Sequence, residues 1–367
     1  MWYTLQNEPQ IDSPALLVYP ERIKENIALV KSRVGDVQRL RPHVKTVKIA
    51  EVVQLMQDAG IHKFKCATIA EAEMLGMVKA ADALLAYQPV GPKIARLAAL
   101  VQKYPQTSFS CLVDNLDAAT AIAGYFKAQK LSIPVYLDLN VGQQRTGIAP
   151  GSEALELYIQ LASMEGVTPV GLHAYDGHLH DEAIEIRTQR CNLAYEPVAA
   201  LAQAIIDKGL PAPVIVAGGT PTFPIHAQRS GIECSPGTFV FWDWGYRQHL
   251  PDQTYNLAAL VLTRVISHPA EGLLCLDVGH KAVAAENILT NRIHFLNAPE
   301  AVPVSQSEEH LVVKVPDAAA YPVGTALYGV PYHICPTVAL YDKAYTVVHN
   351  AANGQWPVIA RNRTILA

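Results

Sequence analysis

The chain has few charged residues and no excess of positive charge. Only 17% of its 367 residues are charged, and the formal net charge is −4. It therefore lacks the basic field that attracts nucleic acid or an anionic membrane surface. We expect neither nucleic acid nor a membrane as a partner.

Long apolar runs and targeting signals are also missing. No stretch reaches the roughly 18 consecutive apolar residues that a membrane-spanning helix needs. The opening residues, Met-Trp-Tyr-Thr-Leu-Gln, lack the basic and apolar regions of a secretory signal. The sequence predicts a cytoplasmic protein. Its apolar content of 50% is sufficient for a large core and two domains.

The cysteines do not form a pattern typical of disulfide-rich domains or structural zinc sites. They are irregularly spaced and include no Cys-x-x-Cys pair. We interpret all but Cys335 as small buried apolar residues. The cysteines are Cys66, Cys111, Cys191, Cys234, Cys275 and Cys335.

From residue 14 to about residue 217, short apolar runs alternate with amphipathic stretches. This alternation predicts parallel strands joined by crossover helices, and the continuously apolar runs indicate strands buried on both faces. Eight such runs predict a (β/α)8 TIM-type barrel over residues 10–250. The predicted strands are residues 15–19, 37–40, 64–67, 83–87, 108–113, 134–139, 169–174 and 214–217.

The pattern changes after about residue 250, where strand-like runs follow each other without long helices. It predicts a second, all-β domain over residues 251–367. The predicted strands of this domain are residues 257–266, 272–278, 311–315 and 346–349.

Lys45 lies where a predicted strand, residues 37–40, gives way to a predicted helix. The apolar residues from Ile49 to Met56 recur at helical spacing. A lysine at the carboxyl end of a barrel strand faces the catalytic rim, where its amine could form a Schiff base. Position alone leaves a solvated surface lysine as the alternative.

The segment Arg41-Pro42-His43-Val44-Lys45-Thr46 resembles the signature around the pyridoxal phosphate lysine of the D-threonine aldolase and D-serine dehydratase family. This family is the metal-dependent branch of the alanine-racemase-like fold. Five further segments resemble the family in the same order, and the resemblance extends from residue 11 to about residue 342. These segments are residues 11–16, 141–147, 218–222, 235–238 and 331–338.

The resemblance implies an alanine racemase N-terminal-like barrel with a C-terminal all-β domain. It also implies that an amino-terminal strand, here residues 3–7, joins the β domain together with the rest of residues 1–9. In this fold the active site lies at a dimer interface, so the resemblance implies a homodimer. The implied cofactor is pyridoxal 5'-phosphate.

A phosphate cradle is expected where glycines follow the strand at residues 214–217. Gly218 and Gly219 let backbone N–H groups approach a phosphate, and Thr220 adds a hydroxyl donor. Gly237 and Thr238 could add two more donors. A Gly-Gly pair after a strand is also a common turn, but barrel phosphate sites often follow the last two strands.

Two further residues are expected at the cofactor ring. The resemblance suggests that Arg145 contacts the phenolic oxygen, which a guanidinium can stabilise. Tyr175 is expected to pack on the ring or donate a hydrogen bond to it. A surface arginine and a structural tyrosine are the alternatives. Ser235 stands where alanine racemases carry an arginine, so racemase chemistry of that kind loses a partner for the pyridine nitrogen.

His333 and Cys335 are spaced i, i+2, so both side chains would point to one face of a strand. Imidazole with thiolate favours Zn²⁺, with Mn²⁺ or Co²⁺ as alternatives. The spacing alone also fits two core residues, but the segment matches the family's metal motif. Within the resembling family, cysteine at this position is typical of dehydratases and a carboxylate of aldolases. Val47 and Ala339 depart from the family's usual histidine and asparagine.

These observations predict a metal-dependent lyase that acts on a D-3-hydroxy amino acid. The first alternative is D-threonine aldolase-type cleavage to glycine and an aldehyde. The second is a D-serine or 3-hydroxyaspartate dehydratase, which forms a 2-oxo acid and ammonia. An amino-acid racemase would need a second acid/base that the sequence does not identify. A non-enzymatic pyridoxal phosphate homeostasis protein would not need the His-x-Cys pair.

Overall fold

The protein is described here by a computed structural model that covers residues 1–363. It divides into two compact units. The barrel unit comprises residues 30–45 and 53–237 together with Asn362 and Arg363, and the sheet unit comprises residues 1–29, 46–52 and 238–361. The last four residues of the predicted 251–367 domain lie outside the described residues.

The first strand and helix precede the barrel in the chain. They are β1 (Ala15–Val18) and α1 (Pro20–Val34), and they are followed by α2 (Ala50–Asp58). The barrel unit then contains a seven-stranded parallel sheet in which each strand pairs with the next one along the chain. The strands are β2 (Lys63–Cys66), β3 (Asp82–Leu85), β4 (Ser108–Val113), β5 (Ile133–Asp138), β6 (Val167–Ala174), β7 (Val214–Ala217) and β8 (Ile232–Cys234).

The segment at residues 40–43 connects the two edges of this sheet. Leu40 forms a parallel bridge with Cys234 on β8, and His43 forms one with Lys65 on β2. The backbone N–H of Arg41 donates to the Cys234 carbonyl at 2.9 Å. This short extended segment therefore takes the place of the strand that precedes Lys45.

Crossover helices with identifiable starts separate the strands. Thr68 caps α3 by accepting from the Glu71 N–H at 3.1 Å, and Asn115 caps α5 through the Ala118 N–H at 2.8 Å. The helices are α3 (Ile69–Met77), α4 (Pro92–Lys103), α5 (Leu116–Ala128), α6 (Ser152–Ala162), α7 (Ile184–Asp207) and α8 (Phe223–His226).

The sheet unit is built on one nine-stranded, mostly antiparallel sheet. Its long strand β9 (Ala259–Ser267) pairs with β1, with β10 (Leu273–Leu276) and with β14 (Ala326–Pro331). Buried aliphatic side chains from β9, β10 and β13 (Leu311–Lys314) form the core of the sheet unit. The elements are α9 (Trp244–His249), β9 (Ala259–Ser267), β10 (Leu273–Leu276), β11 (Ile293–Phe295), β12 (Val302–Gln306), β13 (Leu311–Lys314), β14 (Ala326–Pro331), α10 (Ile334–Val338), β15 (Lys343–Val348) and β16 (Ala351–Pro357).

The predicted barrel with a second strand-rich part is confirmed, but three strand assignments are wrong. Residues 15–18 belong to the sheet unit, because β1 pairs with β9 and β15. Residues 37–39 form a 3-10 turn, in which Asp36 accepts from the Gln38 N–H at 2.9 Å. Residues 3–7 do not form a strand, although the Gln6 N–H donates to the Asn350 carbonyl at 2.7 Å.

None of the helices within residues 1–363 is both long enough and apolar enough to span a membrane.

Candidate functional site

The barrel unit contains a cavity of about 600 Å³. Lys45, Arg145 and Tyr175, all predicted to bind the cofactor, line it together. Lys45 lies in a 3-10 turn, Val44–Thr46, and its backbone N–H lies 3.3 Å from Nδ1 of His43. The short turn after the extended segment directs the lysine toward this cavity.

Positive side chains surround the ring of Tyr175. The Nζ atom of Lys45 lies 5.7 Å from the ring centroid, and Cζ of Arg145 lies 5.1 Å from it. Nζ of Lys65 lies 5.3 Å from the same centroid. Three basic side chains around one aromatic ring give the cavity a positive character and a flat surface that suit an anionic aromatic ligand.

Lys65 and two partners form a chain of polar contacts along the cavity wall. Nζ of Lys65 lies 3.5 Å from Nε2 of His173, and Nδ1 of His173 lies 2.7 Å from Oδ1 of Asp138. Burial would raise the pKa of Asp138, but hydrogen bonds from His173, Thr146 and Gln88 lower it, so this group is a carboxylate. Burial lowers the pKa of His173. A neutral His173 therefore donates from Nδ1 and presents the lone pair of Nε2 to Lys65.

The predicted glycine cradle is packed tightly against the same tyrosine. A Cβ atom on Gly219 would lie 3.0 Å from Cε2 of Tyr175, and one on Gly218 would lie 2.6 Å from Cδ2 of His226. Gly218 has a φ of +77°, a conformation that favours glycine. The Gly237 N–H donates to Oγ1 of Thr220 at 3.1 Å, so the structure brings these two predicted donors together.

A buried hydrogen-bond network supports this glycine turn. Thr222 accepts from the Gly219 N–H at 3.3 Å and donates to Asp176 Oδ1 at 2.7 Å. The second Asp176 oxygen lies 2.8 Å from Nε2 of His226. The network therefore holds the glycine turn in its conformation.

Asp176, Cys191 and His226 also lie close enough to one another to hold a metal ion. However, Nδ1 of His226 lies 2.7 Å from an Arg229 nitrogen, which can only donate, so this ring nitrogen accepts and Nε2 donates to Asp176. Neither ring nitrogen offers a lone pair to a cation. Burial, with a smaller contribution from Asp176, raises the pKa of Cys191 to about 12. This cluster fits a structural network better than a metal site.

In the sheet unit, the predicted metal pair lies at the start of a helix and not on a strand. His333 is the N-cap residue of α10, and Cys335 is in its first turn. The strand argument for their common orientation is therefore wrong. Buried Asp243 holds this turn in place, because it accepts from the N–H groups of Ile334 at 3.2 Å and Tyr246 at 3.0 Å.

A carboxylate orients His333. Oε1 of Glu286 lies 2.6 Å from Nδ1 of His333, which leaves Nε2 for a ligand. The loop that carries Glu286 is tied to α10, since the Ala284 N–H donates to Oγ1 of Thr337 at 3.1 Å. Burial would lower the pKa of His333, but a hydrogen bond and the negative charge of Cys335 raise it to about 9. A metal would have to displace that proton.

Two threonine hydroxyls lie beside Cys335. Oγ1 of Thr46 lies 3.1 Å from Sγ of Cys335, and Oγ1 of Thr238 lies 3.7 Å from it. Thr238 was predicted to help bind the phosphate, whereas the structure places its hydroxyl against the thiol in the sheet unit. Thr46 directly follows Lys45 in the chain.

Two family profiles match the chain. The profile described as "Alanine racemase, N-terminal domain" matches residues 18–243, and the one described as "Putative serine dehydratase domain" matches residues 258–347. The first match covers more than half of the chain. The chain belongs to the alanine racemase N-terminal domain family.

Three proteins similar to this chain have named activities. The D-threonine aldolase of Arthrobacter sp. is 29% identical over 360 residues, which cover 96% of this chain and 93% of the relative. The D-threo-3-hydroxyaspartate dehydratase of Delftia sp. strain HT23 is 26% identical over 94% of this chain and 97% of its own. Its solved structure matches with a TM-score of 0.84. The D-threonine aldolase structure from Filomicrobium marinum matches with a TM-score of 0.88 over 96% of both chains at 24% identity, which shows the common fold.

Two further matching structures are a histidine-to-alanine variant and a metal-free cysteine-to-alanine variant of a D-threo-3-hydroxyaspartate dehydratase. The two substituted positions are two residues apart, the same spacing as in His333 and Cys335. The comparisons confirm the alanine-racemase-like fold and the resemblance to the D-threonine aldolase and D-serine dehydratase family. They also confirm the prediction that the protein is an enzyme.

Sequence reasoning missed four side chains at these sites. Lys65, His173 and Asp138 lie on strands whose positions were predicted, but a strand prediction does not indicate which charged residues enter a cavity. Glu286 lies 47 positions from His333, and no local spacing links the two.

Proposed function

We propose that this protein is a pyridoxal-phosphate- and metal-dependent lyase acting on D-3-hydroxy amino acids, with D-threonine aldolase-type cleavage as its main reaction. The observation that carries the proposal is the convergence of Lys45, Arg145 and Lys65 on the ring of Tyr175 in one cavity. The relatives named as aldolases and a dehydratase of D-3-hydroxy amino acids support the same substrate class.

The residues present fit pyridoxal phosphate. The cavity offers the primary amine of Lys45, two further basic side chains and an aromatic face, and Gly219 packs closely against Tyr175. The cofactor is an anionic aromatic aldehyde that, when bound, withdraws electrons from the Cα atom of an amino acid. Each of its chemical features thus has a matching group in the barrel unit.

We assign roles to the residues of this cavity as follows. Lys45 supplies the amine that holds the cofactor aldehyde and that accepts or returns a proton at Nζ. Arg145 stabilises the phenolate oxygen of the cofactor. Tyr175 supports the ring. The turn at Gly218 and Gly219 lets the phosphate approach the backbone closely, and the hydroxyl of Thr220, which accepts from the Gly237 N–H, donates to the phosphate.

His333 and Cys335 would hold the divalent metal, Zn²⁺ or Mn²⁺. An imidazole oriented by a carboxylate and a neighbouring thiol form a donor set that zinc commonly uses. The metal would act as a Lewis acid on the 3-hydroxyl oxygen of the substrate. The histidine and cysteine variants of a D-threo-3-hydroxyaspartate dehydratase, two residues apart, support this assignment. We further propose that Thr238 acts beside Cys335 at the metal, in addition to its predicted role at the phosphate.

The second candidate is a D-serine or 3-hydroxyaspartate dehydratase. Cys335 favours it, because the metal-free variant of a D-threo-3-hydroxyaspartate dehydratase carries a cysteine substitution at the matching spacing. Both reactions need the same metal contact to the 3-hydroxyl group. They differ in whether the Cα–Cβ bond or the Cα–H bond is broken.

Product analysis with D-threonine tests the proposal. Purified protein with pyridoxal phosphate and either Mn²⁺ or Zn²⁺ is expected to release equal amounts of glycine and acetaldehyde. As controls, L-threonine replaces D-threonine in one reaction and a metal chelator is added to another, and neither reaction should form products. Release of 2-oxobutanoate and ammonia would establish the dehydratase instead. Cofactor binding without turnover of any 3-hydroxy amino acid would contradict both.

A further inference from the structure

A second lysine lies in the cavity that contains Lys45, and the proposed function assigns it no role. Lys65 belongs to β2, is only 2% exposed and lines the cavity. A lysine buried to this extent loses most of its hydration, which is costly unless a partner compensates or the amine becomes neutral. Its position therefore calls for a function or a strong partner.

The partner of Lys65 is an oriented, neutral imidazole and not a carboxylate. Nε2 of His173 accepts from the Lys65 amine at 3.5 Å. Nδ1 on the other side of the ring lies 2.7 Å from Oδ1 of Asp138, which orients the ring. Thr146 and Gln88 in turn donate to Asp138 at 2.8 and 2.9 Å. This arrangement positions the amine without fixing it as a permanent cation.

We propose that Lys65 is a proton-transfer residue of this cavity, whose amine exchanges a proton with the ligand bound at Lys45 while His173 and Asp138 hold it in position. In the forward step, the C–H bond of the ligand breaks, its electron pair stays on the ligand, and an N–H bond forms on Lys65. The resulting ammonium donates to Nε2 of His173 and then returns the proton to the ligand or to solvent. This inference rests on the proposed function for the identity of the ligand.

The charges around Lys65 support such an exchange. Burial, followed by the positive charges of Lys45 and Arg41, lowers the pKa of Lys65 to about 7, against the opposing effect of Asp176 and Asp138. An amine that is half protonated near neutral pH can give and take protons efficiently. The other titratable or charged groups around it are His173, Tyr175 and Arg145.

The titration of Lys65 can be followed without cofactor or turnover. The wild type, Lys65→Met and the exposed control Lys127→Met are each labelled with [ε-¹³C]lysine, and their lysine resonances are followed by NMR as the pH is changed. Methionine matches the length of the lysine chain, and Lys65→Gln provides a second variant if Lys65→Met does not fold. We expect a resonance with a midpoint of about 7 in the wild type and in Lys127→Met that is absent from Lys65→Met. Ordinary midpoints for all lysines would overturn the proposal.

A second experiment separates proton transfer from a structural role. The pyridoxal-phosphate-loaded wild type is incubated with D-alanine in deuterated water, and exchange of the α-proton is followed by NMR. We expect Lys65→Met to retain cofactor absorbance but to lose about 100-fold or more of the exchange rate and the ionisation near pH 7. Unchanged rate and pH profile in Lys65→Met, or no exchange in the loaded wild type, would overturn the proposal. Because D-alanine has no 3-hydroxyl group, this result does not depend on whether the lyase reaction occurs.

Discussion

Gly219 packs against the ring of Tyr175 so closely that a Cβ atom on the glycine would lie 3.0 Å from Cε2 of the tyrosine. Carbon atoms at that distance repel, so the position excludes every side chain unless the ring moves by a few tenths of an ångström. The contact joins the glycine turn after β7 to the ring that Lys45 and Arg145 also approach. It thereby sets the shape of the cavity at its aromatic wall.

Gly219→Ala should weaken pyridoxal phosphate binding by about 10-fold or more, because overpacking costs roughly 1–3 kcal/mol. Affinity is measured by titration of cofactor absorbance. Gly124→Ala is the matched control, since Gly124 lies within α5 and its new Cβ atom would meet nothing within 4 Å. Equal affinity of Gly219→Ala and the wild type would contradict a phosphate role for this turn.

Glu286→Ala should lower metal affinity by about 10- to 100-fold, which is the usual effect of removing the carboxylate behind a histidine ligand. Glu286→Gln keeps an acceptor for Nδ1 of His333 and should recover part of the affinity. The measurement is equilibrium dialysis with metal analysis, and Glu309→Ala on the surface is the control. If Glu286→Ala binds metal as tightly as the control does, the assignment of His333 as a ligand loses its support.

Arg41→Met should destabilise the protein by about 3–5 kcal/mol, because it removes the buried cation shared by buried Glu233 and partly buried Asp82. Arg41 is 1% exposed, donates from Nε to Glu233 at 2.6 Å and from Nη2 to Asp82 at 2.9 Å. Urea unfolding measures the effect. The control is Lys24→Ala, which removes an exposed pair with Glu21 and should change little. A small effect for Arg41→Met would mean that the network contributes no net stability.

Lys65 should make the stability of the protein depend on pH between about 7 and 10.5. Its folded-state pKa is lowered to about 7 from an ordinary value of 10.5, so in this window the unfolded chain binds a proton that the folded chain lacks. The free energy of unfolding should therefore rise with pH, by at most about 1.4 kcal/mol per unit, and level off below pH 7. Urea unfolding of the wild type and Lys65→Met across this range gives the difference. Parallel pH curves for the two proteins would contradict the shifted pKa.

The sequence predicted the barrel well where apolar-rich strands end at turn residues. Residues 108–113 and 214–217 are strands with the predicted bounds, because both are rich in apolar residues and are followed directly by Asp-Asn and Gly-Gly. The strand Ile232–Cys234 was missed, since three residues before Ser-Pro-Gly carry too little periodicity. The strand predicted before Lys45 at residues 37–40 was wrong, because residues 37–39 form a 3-10 turn and the extended segment at residues 40–43 is held by two isolated bridges.

Errors arose where pairing between distant segments decides the structure. Residues 15–18 read as a barrel strand, yet their partners on β9 and β15 lie more than 240 residues away. His333 and Cys335 were expected on a strand, but Asp243 caps the turn that starts a helix there. Local sequence patterns contain no information on such distant partners.

Borohydride reduction of the loaded protein, followed by peptide mass mapping, tests most directly the claim that pyridoxal phosphate is bound through Lys45. We expect a pyridoxyl group on the peptide that contains Lys45, which should be lost in Lys45→Arg and retained in Lys127→Met. A pyridoxyl group on Lys65 or on any other lysine, or no modified lysine in a protein that binds the cofactor, would contradict it.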